Sequence, residues 1–165
     1  MPVGFLIKEL NALQSFDWMT ACVSAKHFAF IGLRDVEDAE QELLKRLRPD
    51  ITVFTSADVK RLGAKEVILK SLESINPNNE LPIHVSFDID VLDPRIAAST
   101  GTPCPNGLVP DDVYVFGEHV CKTAKLQVLD MVEVNPLIGS EKQVTRTAFI
   151  ASEIVAAFIG QPTDS

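Results

Sequence analysis

The stretch from His84 to Leu108, HVSFDIDVLDPRIAASTGTPCPNGL, decides the reading of this chain. It begins as an apolar run and ends in the acids Asp88, Asp90 and Asp93. Residues two apart in an extended chain point to the same side, so Asp88 and Asp90 are expected to converge. Two carboxylates that close repel each other and lose hydration; they need a cation, an arginine or a raised pKa. In open α/β sheets ligands gather at the carboxyl ends of strands, which is where this pair falls. Oxygen ligands alone favour a hard cation such as Mg²⁺ or Mn²⁺ over zinc. A pair of acids capping a loop has the same spacing, and the DxD pattern by itself favours that plainer reading.

On either side of this segment, periodicity gives an alternating order of elements. Val3, Leu6, Ile7, Leu10 and Leu13 recur at helical spacing and predict an opening amphipathic helix. The nearly continuous apolar run from His27 to Leu33 suits a buried parallel strand. Ala39, Leu43, Leu44 and Leu47 mark a helix that stops before Pro49. A brief strand, Ile51 to Phe54, precedes a helical stretch from about Asp58 to Ile75 with a break near Gly63. Ile83 to Ile89 is the third strand and Leu126 to Val134 the fourth. Between them a helix opens on Pro110, Asp111 and Asp112 and runs to about Thr123. The last helix carries a capping box, Ser140 with Gln143, and has Gly160 beyond its end. Strands alternating with helices predict an α/β fold over residues 1–165, three-layer αβα, with a mostly parallel sheet of about four strands covered on both faces.

Composition narrows the function classes. Of 165 residues, 46% are hydrophobic and 23% charged, the balance of a packed globular chain. A net charge of −8 repels phosphate backbones, so no nucleic-acid partner is expected. No apolar run is long enough to span a membrane, and Met1 to Leu6 has neither a basic region nor a signal-type core. Cys22, Cys104 and Cys121 form no CxxC pair and read as reduced packing residues, consistent with a cytoplasmic setting.

Beyond the DxD pair, a set of blocks changes the odds. SFDIDVLDP (Ser86–Pro94), STGTP (Ser99–Pro103) and Asn106-Gly107-Leu108 resemble the signature of the ureohydrolase family. Ile31-Gly32-Leu33-Arg34-Asp35-Val36 followed by Glu40, and Met131-Val132-Glu133-Val134-Asn135-Pro136 followed by Val144-Thr145-Arg146-Thr147, resemble arginases within it. The blocks stand in family order from Met1 to about Gly160. The resemblance implies an arginase-type hydrolase that converts L-arginine and water to L-ornithine and urea, with a manganese pair activating the water. It also implies roles: Asp88 and Asp90 as metal ligands, Glu133 and Thr102 beside the guanidinium, Glu37 and Glu40 toward the α-amino end. Agmatinase-type enzymes on other guanidino substrates are the neighbouring alternative.

The resemblance covers the carboxy-terminal half of an arginase only. It implies that the remaining metal ligands, a His and a DAHxD cluster, and the proton-shuttle histidine lie outside this chain. His27, His84 and His119 match none of them. His27 and His84 are expected to be packed and hydrogen-bonded, His119 solvated. The chain departs from the family at Glu37, where Asp is usual, at Val91, where Gly is usual, in Ser99 and Cys104-Pro105-Asn106, and at Val109, where a capping Thr or Ser is usual. Three expectations follow. The isolated chain is inactive, and a non-catalytic paralogue that binds a complete homologue is the alternative from outside enzymology. It self-associates or associates with a full-length homologue. The family strand that carries DAHxD, between those matching His27–Leu33 and Ile83–Ile89, is absent, and the two strand pairs close into one continuous sheet.

Overall fold

A computed structural model describes residues 2–10, 18–47 and 50–162. Strands and helices alternate in the expected order: β1 (Ala29–Leu33), α1 (Asp38–Leu47), β2 (Thr52–Thr55), α2 (Ser56–Leu62), α3 (Ala64–Ile75), β3 (Ile83–Asp88), α4 (Pro110–Lys122), β4 (Leu126–Val132) and α5 (Glu141–Phe158). Local chemistry sets most boundaries. Acids open α1 and Lys45 and Arg46 close it, matching the helix dipole. Thr55 and Asp58 form a reciprocal capping box at α2. Gly63, at φ +89°, separates α2 from α3 without a side chain to strain. Ser140 and Gln143 cap α5. Pro110 opens α4, but Val109 before it offers no side-chain acceptor.

The first ten residues differ from expectation. Pro2–Phe5 and Lys8–Leu10 are short 3-10 turns, not an α-helix. Their backbone groups pair with a second segment: Cys22 and Val23 donate to the Leu6 carbonyl at 3.1 and 3.0 Å, and Lys8 donates to Val23 at 2.9 Å. The apolar spacing still does its work, because Ile7 is fully buried with Ala25, Leu47 and Ile51, and Val3 and Leu10 pack on them. Leu13 lies outside the described residues.

β1 pairs in parallel with β2, and β3 with β4. The two pairs are not hydrogen-bonded to each other, so the expected continuous sheet does not form. At Gly32, φ +88°, the register of β1 breaks, and the side chains of Val91 and Leu108 pack where a Cβ would stand, so side-chain contact rather than a backbone ladder links the pairs there. The main apolar core joins the pairs instead, with Ile31 and Phe54 packed on a cluster that includes Val67, Ile83, Phe87, Val113 and Ile154. Only one face of the β3–β4 ribbon meets this core. His84, Ser86, Val128 and Val132 on the other face are exposed, a departure from the two-sided cover that parallel strands ordinarily have.

Candidate active site

β3 ends at Asp88, and the chain turns at once into a 3-10 turn, Ile89–Val91. The Asp90 amide donates to Asp88 Oδ1 at 3.0 Å. The two acids therefore come together through a turn, not through the alternation of an extended strand as the spacing suggested. The Thr102 hydroxyl donates to Asp90 Oδ2 at 2.6 Å. Asp88 lies opposite Val132 in the parallel register, so Glu133 follows directly beside it. A carboxylate oxygen of Glu133 lies 3.9 Å from where a Cβ on Gly101 would stand. Asp88, Asp90, Thr102 and Glu133 thus gather at the carboxyl ends of β3 and β4. Burial pushes the Asp88 carboxyl above its ordinary pKa; the Asp90 amide opposes this, while the charges of Asp90 and Glu133 add to it and Arg34 counters them.

The loop that carries Thr102 is tied down at its base. Asp93 is 4% exposed and accepts from the Arg95 guanidinium at 2.7 and 3.2 Å, and from the amides of Arg95 and Asn106 at 3.1 Å each. The Arg95 guanidinium holds the Asp93 carboxyl down at about 2, with the amide bonds reinforcing the effect. Leu92 and Leu108 form a parallel bridge across the loop's ends. A Cβ on Gly107 would fall 2.3–2.6 Å from the backbone of Leu92 and Asp93, so only glycine fits that crossing. Arg34, just after β1, donates from Nε and Nη2 to the Cys104 carbonyl, both at 3.2 Å, and from Nη2 to the Asp90 carbonyl.

The other two proposed substrate residues stand apart. Glu37 is exposed before α1. Glu40, half-buried in the first turn of α1, lines a cavity of about 220 Å³ with Phe30, Leu33, Asp35 and Leu44. Among the described residues no hydrogen bond or ion pair links either one to the Asp88–Glu133 cluster. The histidines stay away from it as well. His27 Nδ1 lies 2.9 Å from the Ile75 carbonyl, and His84 Nε2 lies 2.7 Å from Asp130 Oδ2, so both are hydrogen-bonded as expected, but both are exposed and not packed. His119 is half-buried, with Nδ1 2.8 Å from the Val115 carbonyl one turn back, and is not the solvated residue expected. All three cysteines are free.

The carboxylates alone do not make a manganese site. One oxygen of Asp88 and one of Asp90 are already engaged, and among the described residues no group of three or more His, Cys, Asp or Glu is placed to hold a metal. Hard divalent cations ordinarily draw on about six ligands, and two carboxylates without imidazoles fall well short. Sequence reasoning quoted Arg34 and Arg95 only as parts of motifs. Arg95 pairs with Asp93 two residues before it, a local contact the spacing allows, whereas Arg34 acts on carbonyls 56 and 70 residues away, which no spacing encodes.

A family model described as the Arginase family matches residues 8–160. The chain belongs to the arginase family. Rat Arginase-2, mitochondrial, is 40% identical over 165 residues, covering 97% of this chain and 46% of that protein. Human Arginase-1 is 41% identical over 164 residues, covering 96% of this chain and 50% of that protein. The crystal structure of Entamoeba histolytica arginase in complex with L-ornithine matches with a TM-score of 0.80 at 30% identity, covering 97% of this chain and 52% of that one. The native structure of Bacillus caldovelox arginase gives 0.77 at 25% identity, covering 85% of this chain and 45% of that one. The chain spans about half the length of the curated relatives it matches. The α/β half-domain of an arginase-like fold is thereby established, and the family is one of hydrolases. Among the described residues no helix is long and apolar enough to cross a membrane.

Proposed function

We propose that this chain supplies half of an arginase-type active site, acting in arginine metabolism on L-arginine to give L-ornithine and urea. The observation that carries the reading is the gathering of Asp88, Asp90, Thr102 and Glu133 at adjacent strand ends in a chain of this family. Glu133 and Thr102 are the residues for the guanidinium: a carboxylate and a hydroxyl match its charge and its planar array of donors. Glu37 and Glu40 are the residues for the α-amino end. Asp88 and Asp90 are this chain's share of the manganese ligands, with the rest coming from outside it. Agmatine carries the same terminal amine and lacks only the carboxylate, so the two acids near α1 suit either substrate and relative turnover decides between them.

The isolated chain turns over no arginine in this reading. With Mn²⁺ added it should release no urea above buffer background; release abolished by Asp90→Ala would overturn that. The positive test is a chimera in which this chain replaces the matched half of human Arginase-1. Arginine turnover exceeding agmatine turnover, and lost with Asp90→Ala, supports the reading; faster agmatine turnover transfers it to the agmatinase type. A second reading, a non-catalytic partner of a complete homologue, is favoured by the short ligand set, and co-purification with an intact arginase while the chimera stays inactive would select it. The free thiols suit the cytoplasm, whereas several relatives, rat Arginase-2 among them, are named as mitochondrial; cell fractionation distinguishes the two.

A further inference from the structure

We propose that Arg34 is a positioning residue that sets the span between the two acidic ends of the candidate site. The inference rests on the reading that Glu37 and Glu40 face one end of a substrate while Thr102 and Glu133 face the other. These groups belong to different strand pairs, and no sheet hydrogen bond joins the pairs. Beneath the site the apolar core holds the pairs together, but apolar contact is non-directional and does not fix a distance at the strand ends.

Arg34 supplies the direction. It follows β1 immediately, three residues before Glu37. Its guanidinium donates to the Asp90 carbonyl in the carboxylate turn and to the Cys104 carbonyl in the loop that carries Thr102. One planar fork thus binds three segments: the end of β1, the turn after β3 and the Thr102 loop. The fork is pre-organised, so each bond constrains angle as well as distance. Its acceptors are carbonyls, and among the described residues Arg34 makes no ion pair with Asp88, Asp90 or Glu133. The bonds from Nε and Nη2 go to backbone carbonyls, which leaves the carboxylate oxygens to other partners.

A second contact sits two residues earlier. Val91, where the resemblance leads one to expect glycine, places Cγ2 within 2.4 Å of where a Cβ on Gly32 would stand, and Leu108 adds a methyl at 3.5 Å. Side chain fills notch at Gly32, and the fork grips at Arg34. Lys60 on α2 adds a bond to the Asn106 carbonyl at 2.8 Å, but it is exposed. A single ammonium there constrains less than the half-buried fork.

Paramagnetic relaxation on the ¹⁵N-labelled chain tests this without substrate. With Cys22, Cys104 and Cys121 replaced by serine, a spin label on Glu37→Cys should broaden the amides of Asp90 and of Gly101 to residue 104 in a fixed pattern. Arg34→Ala should weaken and spread that pattern, Arg34→Lys should restore only part of it, and Lys60→Ala should leave it intact. An unchanged pattern in Arg34→Ala would overturn the proposal, as would full restoration by lysine. Should the alanine variant fail to fold, Arg34→Lys decides: a pattern identical to that of the parent chain overturns the proposal, and a weakened one supports it. An inactive chimera combined with a pattern sensitive to Arg34 would count against the arginine reading alone.

Discussion

Around Asp93 the backbone has almost no freedom: four donors converge on one carboxylate, a parallel bridge closes the loop, and Gly107 leaves no room for a methyl group. Around Glu37 the chain is a surface segment with its side chain in solvent. Both regions are proposed to hold one end of the same small molecule. The β3 end is held by its own hydrogen bonds. The β1 end takes its position from what grips the strand before it. Local stability follows the density of such contacts, so the same type of substitution should have very different effects in the two places.

The strongest test of the contrast is Gly107→Ala. The new methyl would overlap the backbone of Leu92 and Asp93, and backbone cannot step aside as a flexible side chain can. A loss of roughly 3 kcal/mol is expected, read from urea denaturation, together with loss of the Thr102–Asp90 hydrogen bond. A loss under about 1 kcal/mol would mean that the loop is not tied as described.

The two aspartates at the β3 end should respond to pH with opposite signs. Asp93 has a folded pKa of about 2 against an ordinary 3.8. Its stabilisation is present above the ordinary value and is lost as pH falls from there toward 2. Asp93→Asn should flatten that part of the acid-unfolding curve. Asp88 is shifted upward by burial, so its charged form opposes folding at neutral pH and the opposition is relieved on acidification. Asp88→Asn should raise the melting temperature at pH 7. A fall there would show that the carboxylate is stabilised by something not yet identified.

A smaller effect, and a gain, is expected at Val109. The α4 amide end lacks a side-chain acceptor there, and Val109→Thr should add about 1 kcal/mol. Smallest of all is Glu37→Ala, whose effect on stability should stay within about 0.5 kcal/mol, measured in the same denaturant series. A larger loss would dissolve the contrast between the two regions.

Much of the fold was legible in the residues because it rests on local chemistry. Apolar runs gave the four strands, Pro110 and the Ser140–Gln143 pair gave helix starts, and Gly63 marked a break. The opening segment was not legible: Val3, Leu6, Ile7 and Leu10 have helical spacing, yet the carbonyl of Leu6 is taken by the amides of Cys22 and Val23. Spacing reports which side chains are buried, not which backbone groups pair. How the strand pairs meet was hidden for a related reason, since Gly32 and the Val91 side chain that packs against it lie far apart in sequence. At the site, acids two apart announced themselves. Arg95 meets Asp93 only two residues away, but Arg34, which ties the carboxylate turn to the Thr102 loop, acts on the carbonyls of Asp90 and Cys104, whose positions only the folded chain defines.

Glu133 leaves β4 with φ +64°, the left-handed region that a side chain such as glutamate rarely occupies. Residues held there cost on the order of 1–3 kcal/mol, and glycine or asparagine would sit there more easily. Position 133 is therefore a witness to what kind of selection a sequence has met. A randomised library sorted for folding alone should drift to glycine and asparagine at this position. The same library, carried in the chimera and sorted for arginine turnover, should return glutamate against the pull of its own backbone.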